Sequence, residues 1–165
     1  MILFILVWML VVIVFIKCLA SEAKTSDEKI IEMVCEQVLD APNEDILEPN
    51  LDLDGFINVL EKLYADYFTE EAFKSFIQIR YGDKYHVVAN ETGKFITIKA
   101  ITVTQDKQTP QSYHFEAHVE IEDHFNQAIP VKVLGHATLV NHKITKIEFL
   151  DKALLRALTP VSYTH

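Results

Sequence analysis

Between Phe95 and Leu150 the chain alternates apolar and polar residues in four runs, each with the period of a half-buried strand. The runs are Phe95 to Gln105, Gln111 to Asp123, Ala128 to Val140 and Lys143 to Leu150, all rich in the β-branched and aromatic residues that suit a pleated surface. In the second run Tyr113, Phe115, Ala117, Val119 and Ile121 share one face, while His114, Glu116, His118 and Glu120 share the other. The third run places Ile129, Val131, Val133, Gly135, Ala137 and Leu139 inside and Lys132, His136 and Thr138 outside. A turn over Glu122 to Gln127 that closes these two runs symmetrically sets Val119 against Val131, Ala117 against Val133 and Phe115 against Gly135, so the apolar faces coincide. It also sets His114 against His136. The first run changes parity between Ile98 and Ile101, which predicts a β-bulge near Lys99 or Ala100. Asn141 and His142 hold the place of a tight hairpin turn, where both tolerate positive φ.

Upstream the period changes to that of helices. Thr25 and Glu28 form a capping box before Ile30, Ile31, Val34, Cys35, Val38 and Leu39, a helix that ends near Asp40, ahead of Pro42. Phe56, Val59, Leu60, Leu63, Tyr64 and Tyr67 mark one face of a second helix. Thr69 caps a third, with Glu70 and Glu71 in its first turn and Phe73, Phe76, Ile77 and Arg80 along it. Tyr85 to Ala89 reads as a short strand ahead of the sheet. The order is α+β: three N-terminal helices packed on a curved antiparallel sheet of four to five strands, occupying residues 25–150, with 151–165 as a C-terminal tail.

The first twenty residues belong to a different regime. Met1 to Ile16 is apolar without interruption, which predicts a signal peptide or a membrane anchor over residues 1–20. Sixteen helical residues span ~24 Å, short of a bilayer core of about 30 Å unless Cys18, Leu19 and Ala20 are included. Ala20 closes a fair signal-peptidase site, so both fates stay open. Lys17, Lys24 and Lys29 follow the run where a basic segment should precede it, which taken strictly holds the domain in the cytoplasm. An apolar N-terminal segment before a single domain is more often an export signal, and the domain is expected outside the cell membrane, or secreted if cleaved after Ala20. Asn90-Glu91-Thr92 fits a glycosylation sequon in a turn.

Charge and cysteine content narrow the function classes. A net charge of −9 repels phosphate backbones and sets nucleic-acid binding aside. The two cysteines, Cys18 at the end of the apolar run and Cys35 in the first helix, match no metal or redox spacing.

The helical part closes on Asp66-Tyr67-Phe68-Thr69-Glu70-Glu71-Ala72-Phe73, and Gly135-His136-Ala137-Thr138-Leu139 leads through Asn141-His142-Lys143-Ile144-Thr145 to Ile147-Glu148-Phe149. With these motifs the chain resembles the NTF2-like (cystatin-like) superfamily over roughly residues 25–150. Many members have Asp-Gly or Asn-Gly where this chain has Asn141-His142. The resemblance implies a cone-shaped fold and admits several activities: ketosteroid-isomerase-like enzymes, binding domains, and extracytoplasmic domains of membrane-anchored secretion or conjugation components. An apolar segment before one such domain is most similar to the last group, which implies a non-enzymatic accessory domain whose partners are the membrane and other envelope proteins, or a second copy of itself.

Three constellations could carry chemistry. Asn50, Asp52, Asp54, the Phe56 carbonyl and Glu61 fit the spacing of an EF-hand calcium loop, with Gly55 at its turn. Pro49 interrupts the entering helix, Leu51 and Leu53 are apolar, and no second hand follows, so Asp52 or Asp54 is expected first as a helix N-cap, with a calcium-binding module over residues 50–61 as the alternative. His114, His118 and His136 on the wet face have no third ligand of known geometry and are expected as solvated side chains. An enzyme needs a carboxylate or histidine aimed into the pocket between sheet and helices, and the polar residues placed there are Tyr64, Tyr67 and Tyr113, which are expected to satisfy the core. No catalytic, cofactor-binding or metal-binding residue is assigned, and no cofactor is expected.

Overall fold

The computed structural model describes residues 24–123 and 127–159. The apolar run over residues 1–20 lies outside them, and among the described residues no helix is long and apolar enough to cross a membrane. Helix α1 (Ser26–Leu39) starts from the capping box: the Glu28 N–H donates to Thr25 Oγ1 (3.3 Å) and Glu28 Oε2 accepts from the Thr25 N–H (2.7 Å). Its buried stripe is Ile31, Val34, Cys35, Val38 and Leu39. Helix α2 (Leu53–Tyr64) runs through one 3₁₀ turn into α3 (Glu70–Gln78), which Thr69 caps.

Two further helices depart from the expected order. Residues Tyr85 to Ala89 are not a strand but part of α4 (Lys84–Thr92). Tyr85 and Ala89 stand one helical turn apart and are both buried, together with His86, and this stripe outweighs the strand preference of Val87 and Val88. Gly93 ends the helix at φ 64°, where the Lys94 N–H returns to the Ala89 carbonyl (2.9 Å). The Asn90 sequon therefore sits in the last turn of a helix, with the Thr92 hydroxyl donating to the Val88 carbonyl (2.7 Å). Beyond residue 150, where a tail was expected, Lys152–Leu158 forms α5 and packs on the sheet through Leu154 and Leu158, both fully buried.

The sheet has four strands, β1 (Phe95–Gln105), β2 (Ser112–Glu122), β3 (Ala128–Val140) and β4 (Lys143–Leu150), antiparallel throughout, in the order β1-β2-β3-β4 and not closed. Val119 pairs with Val131, Ala117 with Val133 and Phe115 with Gly135, as the alternation requires. The register between β1 and β2 shifts between Ile98 and Ala100, which leaves Lys99 as the bulged residue. Asn141 and His142 both have positive φ, 51° and 60°, and make the tight turn to β4. Ile129 is a correction: it is 47% exposed, because β4 reaches only as far as Leu134 and the start of β3 is flanked by β2 alone.

The five helices of the described residues lie toward the face bearing Phe115, Ala117, Val119, Val133, Ala137 and Phe149. Rings of Phe115 and Phe149 meet edge to face at 5.1 Å, and Tyr81 and Tyr85 close on Phe149 from the helical side. A Cβ on Gly135 would stand 2.1 Å from Phe115 Cζ, so glycine is what lets the ring lie flat across β3. Among the described residues no helix lies on the other face.

Candidate functional site

In an α+β fold of this kind the space between helices and sheet is the first place to look for chemistry. Here most of its polar groups are bonded within the protein, the side-chain oxygen of Gln37 being the buried atom left without a partner among the described residues. The Tyr64 hydroxyl donates to the Gln37 carbonyl (3.0 Å) and lies 3.3 Å from that of Gly82. His86 accepts the Asn43 N–H at Nδ1 (3.1 Å), which leaves Nε2 to donate to the Gln37 carbonyl (3.0 Å). Burial pushes the His86 pKa below its ordinary value and keeps the ring neutral. At the junction of β4 and α5, Asp151 takes the Tyr85 hydroxyl (2.7 Å) and the Lys84 ammonium (2.5 Å). Burial by itself would raise the Asp151 pKa, and these two donors override it and hold it low. Burial and Asp151 push the Tyr85 hydroxyl far up, and burial does the same to Tyr64 and to the Cys35 thiol.

Asp27, in the first turn of α1, takes the Tyr113 hydroxyl on one oxygen (3.1 Å) and His142 Nδ1 on the other (2.6 Å). It ties the β3–β4 hairpin to the helix at the end of the fold where residues 1–23 join. Tyr67 is half-buried beside this layer. Tyr64 and Tyr113 thus brace elements against each other, and Tyr67 packs on the core. His86 and Asp27 were not legible as partners, because their contacts cross 43 residues or more.

The EF-hand spacing is not a loop. Asp52 is the N-cap of α2, accepting the Gly55 N–H (2.8 Å), and everything from Leu53 onward is helical. Asp54 and Glu61 are seven residues apart along that helix, roughly 10 Å of axial rise, whereas a calcium loop must wrap them around one point.

The uncovered face is built from rows that cross the strands. Thr104, His114, His136 and Glu148 stand side by side, and the next row is Thr102, Glu116, Leu134 and Leu150. Glu116 links His118 (2.7 Å) and Lys132 (2.8 Å), and Lys99 reaches from its bulge to Glu120 (2.7 Å). The Lys132 and His118 donors hold the Glu116 carboxyl below the usual range. A shallow hollow of about 280 Å³ opens beside Thr102, Thr104, His114, Glu116 and Leu134. Leu134 and Leu150, neighbours in register, are 42% and 49% exposed. His114 and His136 face each other at 2.7 Å, with Asp106 3.6 Å from the far nitrogen of His114. Asp106 belongs to the β1–β2 turn and accepts the N–H groups of Gln108 and Thr109, which lowers its pKa. Its spacing to Thr109 and Pro110 is an ordinary turn signal that says nothing of the histidine.

No protein-family model and no curated protein matches the chain. Among solved structures, a de novo designed β-sheet protein superposes with a TM-score of 0.47 at 9% identity, over 74% of this chain and 86% of its own. TraH, described as a transfer protein of the Gram-positive conjugative plasmid pIP501, gives 0.47 at 10% identity over 79% of this chain and 96% of its own. A chain from Jannaschia sp. CCS1 described as a SnoaL-like polyketide cyclase gives 0.44 at 13% identity over 88% and 100%. At TM-scores this low the likenesses carry no argument about family or activity.

Proposed function

We propose that this chain is a non-enzymatic accessory domain of the NTF2-like type, held at the extracytoplasmic side of the cell membrane, where it docks a neighbouring envelope protein on its uncovered sheet face. The observation that carries the reading is the division of polar groups between the two faces. Tyr64, His86, Tyr113 and Asp151, which point between sheet and helices, are bonded within the protein. The outer face instead presents two adjacent exposed leucines inside a rim of His, Glu and Lys, the composition of a contact patch. The membrane placement rests on the apolar run from Met1 to Ile16. Only Lys17 to Ala23 separate that run from the described domain, at most roughly 25 Å of extended chain, so a retained anchor leaves the face within reach of proteins in the same bilayer.

A photo-crosslinking residue placed at Thr102 or Leu134 in the full-length protein, in its own membranes, is expected to capture one defined membrane protein. The same residue at Leu53, exposed on the helical side, is expected to capture none. Equal capture from Leu53, or recovery of the uncrosslinked chain alone, overturns the docking reading. A reporter fused after His165 checks the side of the membrane, and activity on the cytoplasmic side rejects that part.

A further inference from the structure

His114 and His136 stand opposite each other on β2 and β3, with ring centroids 4.6 Å apart, planes at 80° and the two Nδ1 atoms 2.7 Å apart. Two imidazole nitrogens at that distance cannot both direct bare lone pairs at each other, nor can both carry hydrogens. Either one ring donates an N–H to the other, or a metal ion takes the place of that hydrogen between the two lone pairs. On the far side of His114, Nε2 faces the Asp106 carboxylate at 3.6 Å, and Asp106 is itself fixed by the backbone N–H groups of Gln108 (2.7 Å) and Thr109 (3.0 Å). A carboxylate hydrogen-bonded to the second nitrogen sets the tautomer of a ligating histidine, keeping the hydrogen outward and the lone pair on the metal side, and Asp106, at 3.6 Å, needs only a small movement to make that bond.

The row continues to β4, where Glu148 stands directly opposite His136. Its carboxylate is exposed and lies 3.9 Å from Lys146, a loose contact that costs little to break. Among the described residues no three histidine, cysteine or carboxylate side chains already converge on one point. The pair therefore offers two fixed ligands, and the third has to turn in from the same row.

We propose that His114 and His136 bind one divalent transition-metal ion, zinc or copper(II), through their Nδ1 atoms, with Glu148 turning inward as third ligand, water completing the shell and Asp106 positioning His114. Imidazole donors select ions of this class over calcium or magnesium, which take oxygen ligands. Metal–nitrogen bonds of about 2.0–2.1 Å need the two Nδ1 atoms roughly 3 Å apart, a small opening on an exposed face. The site does not depend on the docking reading, since its ligands all lie within one chain.

The test is calorimetric titration of the full-length protein in detergent with zinc chloride and with copper(II) chloride, followed by ¹H–¹⁵N NMR of the imidazole rings. One ion per chain is expected, at micromolar concentration, moving the Nδ1 signals of His114 and His136. H114A and H136A should each weaken binding at least tenfold and E148Q several-fold, while H118A and H142A bind as the wild type does. All five side chains lie on the surface, and far-UV circular dichroism checks that each variant is folded. Binding that persists unchanged in both H114A and H136A, or no binding at about 100 μM metal, overturns the proposal and leaves an ordinary N–H···N hydrogen bond between the rings.

Discussion

Gly135 shows how much one residue decides here. The sequence pairs it with Phe115, and the structure gives the reason: an added Cβ would strike the Phe115 ring at 2.1 Å and the Glu148 carbonyl at 2.4 Å, the second of these being rigid backbone. Gly135→Ala is expected to lower the unfolding free energy by about 1–3 kcal/mol, as overpacking does in well-filled cores, measured by urea denaturation. A variant as stable as wild type would mean that the β3–β4 pairing yields to the added methyl group.

His86 gives a prediction about acid. Its folded pKa is lowered by burial, and protonation would put a hydrogen on Nδ1, the atom that accepts the Asn43 N–H. The unfolded chain binds that proton near its ordinary value of about 6.5, so between the two pKa values the unfolded state holds more protons and stability rises with pH. The contribution is present above about pH 6.5 and is lost as pH falls toward the folded value. Unfolding midpoints measured from pH 8 to pH 5 should drop in the lower part of the range, and His86→Gln should flatten that drop while lowering the midpoint overall. An equal slope in the variant would assign the acid sensitivity to other groups.

Among the elements, those with a strong period were legible and those with a short or mixed one were not. The strands show because one face is buried and the other wet, so every second residue reports its side, and the bulge at Lys99 shows as a break in that parity. Helices α1 and α3 carry caps that announce them. Helix α4 is nine residues with two adjacent valines, and its helical stripe is completed by a buried histidine, which no scan for apolar periodicity counts. Helix α5 is seven residues, too short to show a period, and it exists because the sheet gives Leu154 and Leu158 somewhere to go. Leu154→Ala should therefore cost about 2–5 kcal/mol, the range of a buried leucine in a core. A cost under about 0.5 kcal/mol, the level of an exposed position, would make residues 152–158 the tail that the sequence alone implied.

At the scale of the molecule the decisive property is that the described helices all lie on one side of the sheet. An antiparallel sheet can leave one face to water without penalty, so bareness by itself says nothing of function. What marks the face beyond its bareness is the pairing of Leu134 with Leu150, two partly exposed leucines adjacent in register where β3 meets the end of the edge strand β4. Alternation made the face legible in the sequence as His114, Glu116, His118, Lys132 and His136, yet the leucines went unremarked, because each is a single outward apolar residue in a run whose inward set draws the eye. If the face serves a partner and not the fold, stability and association must separate. The double variant Leu134→Lys, Leu150→Glu is expected to unfold within about 0.5 kcal/mol of wild type, since neither side chain leaves a packed site, and to lose the crosslinked membrane partner captured from Thr102. Gly135→Ala, on the opposite side of the same strand, should do the reverse in mild conditions: weaken the fold while the fraction still folded keeps its partner. A double variant that unfolds would show that the two leucines are covered within the protein, and one that keeps the partner would move the docking site off this face.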